Sequence, residues 1–198
     1  MIPSGWPRAV FGAKTRGQAV IIAAIALPFI VAFVLLVVEV SERWLEVAML
    51  EDALQQASRS AVQTLDYAAM ARNENLVRGV PEGGCADVST KEPGDCDAIV
   101  TIAATFFTAN LANVRGIATN ATSPSDGDSV TEIVARTRWT ILPRGGSCAY
   151  SNGASRTVSD QPLICAEVRP VMRGIVGWGE FTPLITASDT LDAVRTMP

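Results

Sequence analysis

At 198 residues the chain has room for a membrane segment, a stalk and one modest domain, but not for two full domains of roughly 100 to 200 residues each. Its apolar share of 48% and mean hydropathy of +0.26 exceed what an ordinary soluble sequence carries. Net charge is −4, yet Arg8, Lys14 and Arg16 are the only charges before Gln18, so the remainder carries −7. That acidity argues against nucleic acid as a partner. The absence of histidine removes the commonest general base and the commonest imidazole metal ligand.

Residues 1–17 form a basic segment or leader. From Ala19 to Val38 the sequence reads AVIIAAIALPFIVAFVLLVV, without a charge. At about 1.5 Å per residue this run matches a hydrocarbon core of roughly 30 Å, and it predicts a transmembrane helix over residues 18–40 with the lipid bilayer as partner. Three basic residues precede it, whereas Glu39, Glu42 and Glu46 follow with only Arg43 between them. The N-terminus is therefore expected in the cytoplasm and everything after the span outside the cytosol. A cleaved secretory signal is the competing reading, but its apolar region is about 7 to 15 residues and ends at a small-x-small site, whereas this run passes directly into EVSERWLEV. Pro28 is tolerated in a membrane helix as a kink.

Beyond Glu39 the helical period continues through Val40, Trp44, Val47, Leu50, Leu54, Ala57, Ala61 and Leu65. No Gly or Pro interrupts positions 29 to 78, so residues 41–78 are expected as a helical stalk continuous with the span. Its apolar stripe must pack on the following domain, on a partner helix, or on both. Read as an assembly face, it predicts homo- or hetero-oligomers through the N-terminal helix. Trp44 reads as an interfacial anchor or as a helix-packing contact. Glu39 reads as a water-facing boundary residue or as the partner of a positive group on a neighbour.

Residues 79–198 are expected as an extracytoplasmic α+β domain. Gly79–Asp95 is turn chemistry throughout. Asp97 can cap a second helix whose apolar face is Val100, Ala103, Phe107, Leu111 and Val114, with Gly116 placed to end it. In VTEIVARTRWTIL, Ile133, Ala135, Trp139 and Ile141 alternate with Glu132, Arg136 and Arg138 as on a half-buried strand. Further strands are expected at Leu163–Val168 and Leu184–Leu191, with Pro170 and Pro183 at their limits. The fold class is thus a long N-terminal helix followed by a second helix packed on an antiparallel sheet of about three strands. Cys85, Cys96, Cys148 and Cys165 lie among turn formers. Spacing favours the local pairs Cys85 with Cys96 and Cys148 with Cys165, although three connectivities are open and four reduced thiols are the alternative.

No catalytic constellation emerges. Ser58, Ser60 and Ser151 lack a histidine partner, and the glycine pairs starting at Gly83 and Gly145 lack the context of a phosphate loop. Asp126-Gly127-Asp128 offers oxygens for calcium without the EF-hand spacing. Asn120-Ala121-Thr122 is a glycosylation acceptor in a suitable host. Neither cofactor nor metal is expected, and no enzymatic activity.

With these elements in place, the chain resembles the TadE/TadG-like proteins of tight-adherence (Flp-type) pilus systems. The resemblance is carried by Arg16-Gly17-Gln18-Ala19 leading into AIALPFIVAFVLLVVEV and by the stalk LEDALQQASRSAVQTL, with weaker echoes in FFTANL and LITASDTLDAV. It implies a minor pilin or pseudopilin-like role beside other pilin-like or pilus-assembly membrane proteins. Some relatives are prepilins cut after a glycine, a position matched by Gly17, which would leave Gln18 as the new N-terminus. The glutamate common at the fifth mature position is absent, Ile22 standing there. TadG-like members that keep their anchor are therefore the better comparison. A pilin forming a filament by itself and a membrane-tethered binding domain are the alternatives.

Overall fold

Backbone groups in a long apolar segment must satisfy one another, and a helix does so locally. In the computed structural model, α1 runs from Arg16 to Val62 with Pro28 inside it. The structure describes residues 16–64, 66–72, 77–112, 114, 117, 127–153, 155–158, 161–173 and 179–191. Two compact units are distinguished, Met1–Ser41 and Glu42–Pro198. The first contains the apolar part of α1. The second contains the rest of α1 and all other elements.

The long helix ends earlier than the uninterrupted sequence predicts, at Val62 instead of residue 78. Thr64 closes the last turn by donating its N–H to the Ala61 carbonyl at 3.1 Å. Asp66 then opens a new turn, its Oδ1 accepting from the N–H groups of Ala68 and Ala69 at 2.8 and 3.2 Å. A short polar side chain that bonds nearby backbone donors competes with helix continuation. The resulting α2 is a single turn, Tyr67–Met70.

The second unit is α+β. After β1 (Cys85–Val88), a turn at Gly94–Cys96 leads into α3 (Asp97–Leu111), followed by α4 (Val130–Arg136) and β2 (Arg138–Leu142). Then come β3 (Gly146–Ala149), β4 (Ser155–Val158), β5 (Leu163–Val168), β6 (Met172–Arg173), β7 (Glu180–Phe181) and β8 (Ile185–Thr190). The main sheet has four antiparallel strands in the order β1-β2-β5-β8, one more than expected. The addition is β1, a short edge strand inside the segment expected as loop. It lies so close to its neighbour that a Cβ on Gly84 (φ +74°) would stand 2.3 Å from the Ile141 carbonyl oxygen. Only glycine fits there.

Register places Trp139 beside Ala166, Ile141 beside Ile164, Ala166 beside Ala187 and Val168 beside Ile185. These side chains form one sheet face. They join Leu50, Leu54, Ala57 and Ala61 of α1 and Ile99, Val100, Ala103, Phe107 and Leu111 of α3 in a single core. Val114 is buried with them, as expected, whereas Gly116 lies outside the described residues. Asp97, expected as the cap, is instead the first residue of α3; Cys96 takes the cap position, without a side-chain capping bond. On the other sheet face, Leu163 and Cys165 pack with Cys148, Leu142 and Tyr150 beneath the β3–β4 hairpin. That cover explains why β5, LICAEV, is buried on both sides. Strands β5 and β8 fall where the sequence places them.

The expected strand over VTEIVARTRWTIL is two elements. Its first half is α4, fixed by a capping box: the Ser129 Oγ accepts the Glu132 N–H at 3.3 Å, and the Glu132 carboxylate accepts the Ser129 N–H at 2.9 Å. Val130, Ile133 and Val134 then turn inward at helical spacing. Hydrogen bonds from the Ser129 backbone and hydroxyl, with Arg136 nearby, hold the Glu132 carboxyl below its ordinary pKa of 4.5 despite partial desolvation. A carboxyl depressed on folding stabilises the fold above its unfolded pKa and loses that contribution as pH falls through its folded pKa. Glu132→Gln should therefore flatten the acid limb of the stability curve below about pH 4.5, read by denaturant midpoints at successive pH values.

Core and surface positions of α1 should separate as cleanly. Leu54→Ala is expected to cost about 2 to 5 kcal/mol in denaturation of the detergent-solubilised protein followed by near-UV circular dichroism. Leu45→Ala, at an exposed position, should stay within about 0.5 kcal/mol.

Candidate functional site

The chemistry most clearly built into this chain is a division along α1. From Val20 to Val38 its large apolar side chains are exposed on all sides, Phe29 to 72%. This is the one helix among the described residues long and apolar enough to cross a membrane, a test that a signal sequence also passes. Contiguous exposed apolar surface on this scale marks a lipid or protein contact. Gly17 and Gln18 fall in the first turn of α1, with their side chains outside the described residues.

The expected assembly face divides along its length. Val40 and Trp44 are exposed and Val47 is half-buried, whereas Leu50, Leu54, Ala57 and Ala61 are fully buried. The last four are consumed by the chain's own core and are not offered to a partner helix. Leu65 lies outside the described residues. Glu39, expected as a water-facing residue or a partner for a neighbour, is only 3% exposed and takes part in an interaction within the chain.

At the start of the second unit, the Arg43 guanidinium carbon stands 4.9 Å from the centroid of the Phe181 ring, a cation–π distance. Arg43, Trp44, Val47 and Phe181 line a shallow, almost wholly apolar pocket of about 210 Å³. Trp44 is 74% exposed there. Sequence reasoning found Trp44 but not Phe181, which arrives from β7 by tertiary folding and shares no local pattern with α1.

A second concavity, about 340 Å³, opens between β1, β2, β5 and the β3 hairpin. Its charged groups already have partners. Arg138 donates to Asp87 Oδ2 at 2.9 Å, and the Glu167 carboxylate accepts the Ser151 N–H at 2.8 Å. Asp87 is the one non-glycine residue with positive φ (55°) among the described residues.

The residues weighed for chemistry have structural work. The hydroxyls of Ser58 and Ser60 donate to the helix carbonyls of Leu54 and Gln56, and the Ser151 hydroxyl accepts from Arg169. Asp128 Oδ2 accepts from Arg136 and from the Val171 N–H, each at 2.8 Å, so this carboxylate ties α4 to β6. Asp126 and Asn120 lie outside the described residues. Among those described, no group of three or more acidic, cysteine or histidine side chains is placed to hold a metal. Two disulfides join Cys85 to Cys96 and Cys148 to Cys165. The first ties edge strand β1 to the start of α3, and the second ties the hairpin to central strand β5.

No protein-family model, curated protein or solved structure matches this chain.

Replacing Cys148 and Cys165 together by serine is expected to cost about 3 kcal/mol in the chain-entropy picture of loop closure. Denaturant midpoints of the oxidised protein and the double variant measure it, and peptide mapping without reductant should return Cys85–Cys96 and Cys148–Cys165 as the crosslinked pairs.

Proposed function

We propose that this chain is a non-enzymatic, membrane-anchored component of a tight-adherence pilus or related secretion assembly, minor pilin or pseudopilin-like, with a cytoplasmic N-terminus and its α+β domain outside. The observation that carries this reading is the double use of α1. One uninterrupted helix exposes apolar side chains around its whole circumference in its first half and supplies core residues to a small domain in its second. An anchor needs only the first property. A pilin-like subunit needs both, because its membrane helix must be part of the folded domain to carry that domain into an assembly.

Three further features support the reading. The +3 flank before the apolar run and the acidic flank after it fit a retained N-in span. Two disulfides suit an oxidising compartment. The motif Arg16-Gly17-Gln18 and the alanine- and glutamine-rich stalk are similar to TadE/TadG-like sequences. Partners are the bilayer and other pilus-assembly membrane helices, met through residues 19–40, since Leu50 to Ala61 are committed to the domain core.

A photo-crosslinking residue at Ile25 in native membranes tests the assembly role. Adducts to a second membrane protein are expected, a ladder of the chain with itself would favour a self-assembling pilin, and lipid adducts alone would sink the reading. Mass measurement of the mature N-terminus is expected to find residues 1–17 retained, as for TadG-like members. A chain beginning at Gln18 would make it a processed prepilin.

A further inference from the structure

The cleft of about 340 Å³ between β1, β2, β5 and the β3 hairpin has no part in the reading above. Its floor follows from strand alternation: with Trp139 and Ile141 turned into the core, Arg138, Thr140 and Leu142 stand on the opposite face of β2. Register then sets Glu167 directly across from Arg138, and Cys165 across from Thr140. The hairpin walls one side of this floor and β1 the other.

Opposite charges placed across from each other on neighbouring strands ordinarily join. Here each bonds a third group instead. Arg138 donates to Asp87 Oδ2 at 2.9 Å, and Glu167 accepts the Ser151 N–H at 2.8 Å, so the space between them stays open. Asp87 takes a φ of 55°, a left-handed conformation that non-glycine residues use sparingly and that clusters at functional sites. The hairpin wall is fixed in place: the Cys148–Cys165 disulfide fastens it to the floor, and the Tyr150 hydroxyl donates to the Ala187 carbonyl at 3.1 Å. A cleft held in this way needs little further ordering when a ligand enters.

The charges around the cleft balance. Asp87 and Glu167 are offset by Arg138 and by Arg169, which donates to the hydroxyl of the same Ser151 at 3.1 Å. An ion gains little from such a site. A neutral ligand whose adjacent groups both donate and accept finds guanidinium donors beside carboxylate acceptors, with the Thr140 hydroxyl able to do either. Vicinal hydroxyls have that property. Leu142 and Ala149 add apolar lining for the C–H face of a ring, and the volume lies at the lower end of ligand pockets, about 300 to 1,000 Å³, so the ligand is short. We infer that this cleft binds a neutral saccharide, Arg138 donating to one ring hydroxyl and Glu167 accepting from the next. The site lies wholly in the second unit and owes nothing to the membrane span or to the pilus reading.

The test is calorimetric titration of the full-length protein in dodecylphosphocholine, a detergent without a sugar headgroup, against maltose, lactose, cellobiose and diacetylchitobiose, with glutamate and putrescine as charged probes. At least one disaccharide should bind with a millimolar or lower Kd. Arg138→Gln removes the guanidinium, and Ala86→Trp fills the cleft from an exposed position on β1. Each should weaken that binding about tenfold or more while circular dichroism is unchanged. Either variant suffices, so a loss of fold in one leaves the other as the test. Failure of every disaccharide to bind overturns the inference, as does a preference for glutamate or putrescine. Full affinity in a folded variant places the sugar elsewhere and overturns it too.

Discussion

The structure depends on the insertion of α1 into the core of its own domain. Leu50, Leu54, Ala57 and Ala61 lie on one stripe of a helix too long to bury it unaided, and each is fully enclosed. Burying a leucine is worth about 1.5 to 3 kcal/mol, and the two alanines let α1 approach its neighbours closely. Remove this stripe and the sheet face made by Trp139, Ile141, Ile164, Ala166 and Ile185 loses part of its cover. The later part of α1, from Leu50 to Val62, and the rest of the domain are therefore one folding problem.

The sheet is finished from two sides. Helices cover the face of Trp139 and Ile164, while the β3–β4 hairpin covers Leu163 and Cys165. A small domain with one sheet has little surface to bury, so links that limit the unfolded chain matter. The Cys148–Cys165 bridge fastens the hairpin to the most buried strand, and Cys85–Cys96 fastens the edge strand to α3. Tyr150 adds a local lock, its hydroxyl donating to the Ala187 carbonyl at 3.1 Å. Edge strand β1 is short and its register shifts between Cys85 and Val88, which blunts it against pairing with other chains.

Much of this was legible where one physical rule dominated locally. An apolar run without charges specifies a helix, LICAEV falls in an expected strand, and cysteines spaced 11 and 17 apart favour local bridges. Legibility failed where two rules competed. VTEIVAR alternates well enough to suggest a strand, but Ser129 and Glu132 form a capping box and Val130, Ile133 and Val134 keep helical spacing. Asp66 ended α1 by capping a new turn, a signal hidden by the absence of Gly or Pro. The stripe from Val40 to Ala61 was seen as one face, yet which part stays exposed depends on where the domain packs. Phe181 beneath Arg43 is purely tertiary.

Several polar side chains of the domain serve its architecture. Here the carboxylates of Asp128 and Glu132 cap and tie helix α4, Asp189 on β8 pairs with Arg59 of α1 at 3.0 Å, and the larger cleft is edged by the Asp87–Arg138 pair. The hydroxyls of Ser58, Ser60, Thr105 and Thr108 all return to helix carbonyls four residues back. Polar side chains spent in this way specify how α1, α3, α4 and the sheet fit together. Among the described residues, large apolar side chains stay exposed on α1 before Glu39 and at Trp44, and contiguous exposed apolar surface marks a contact with lipid or with protein.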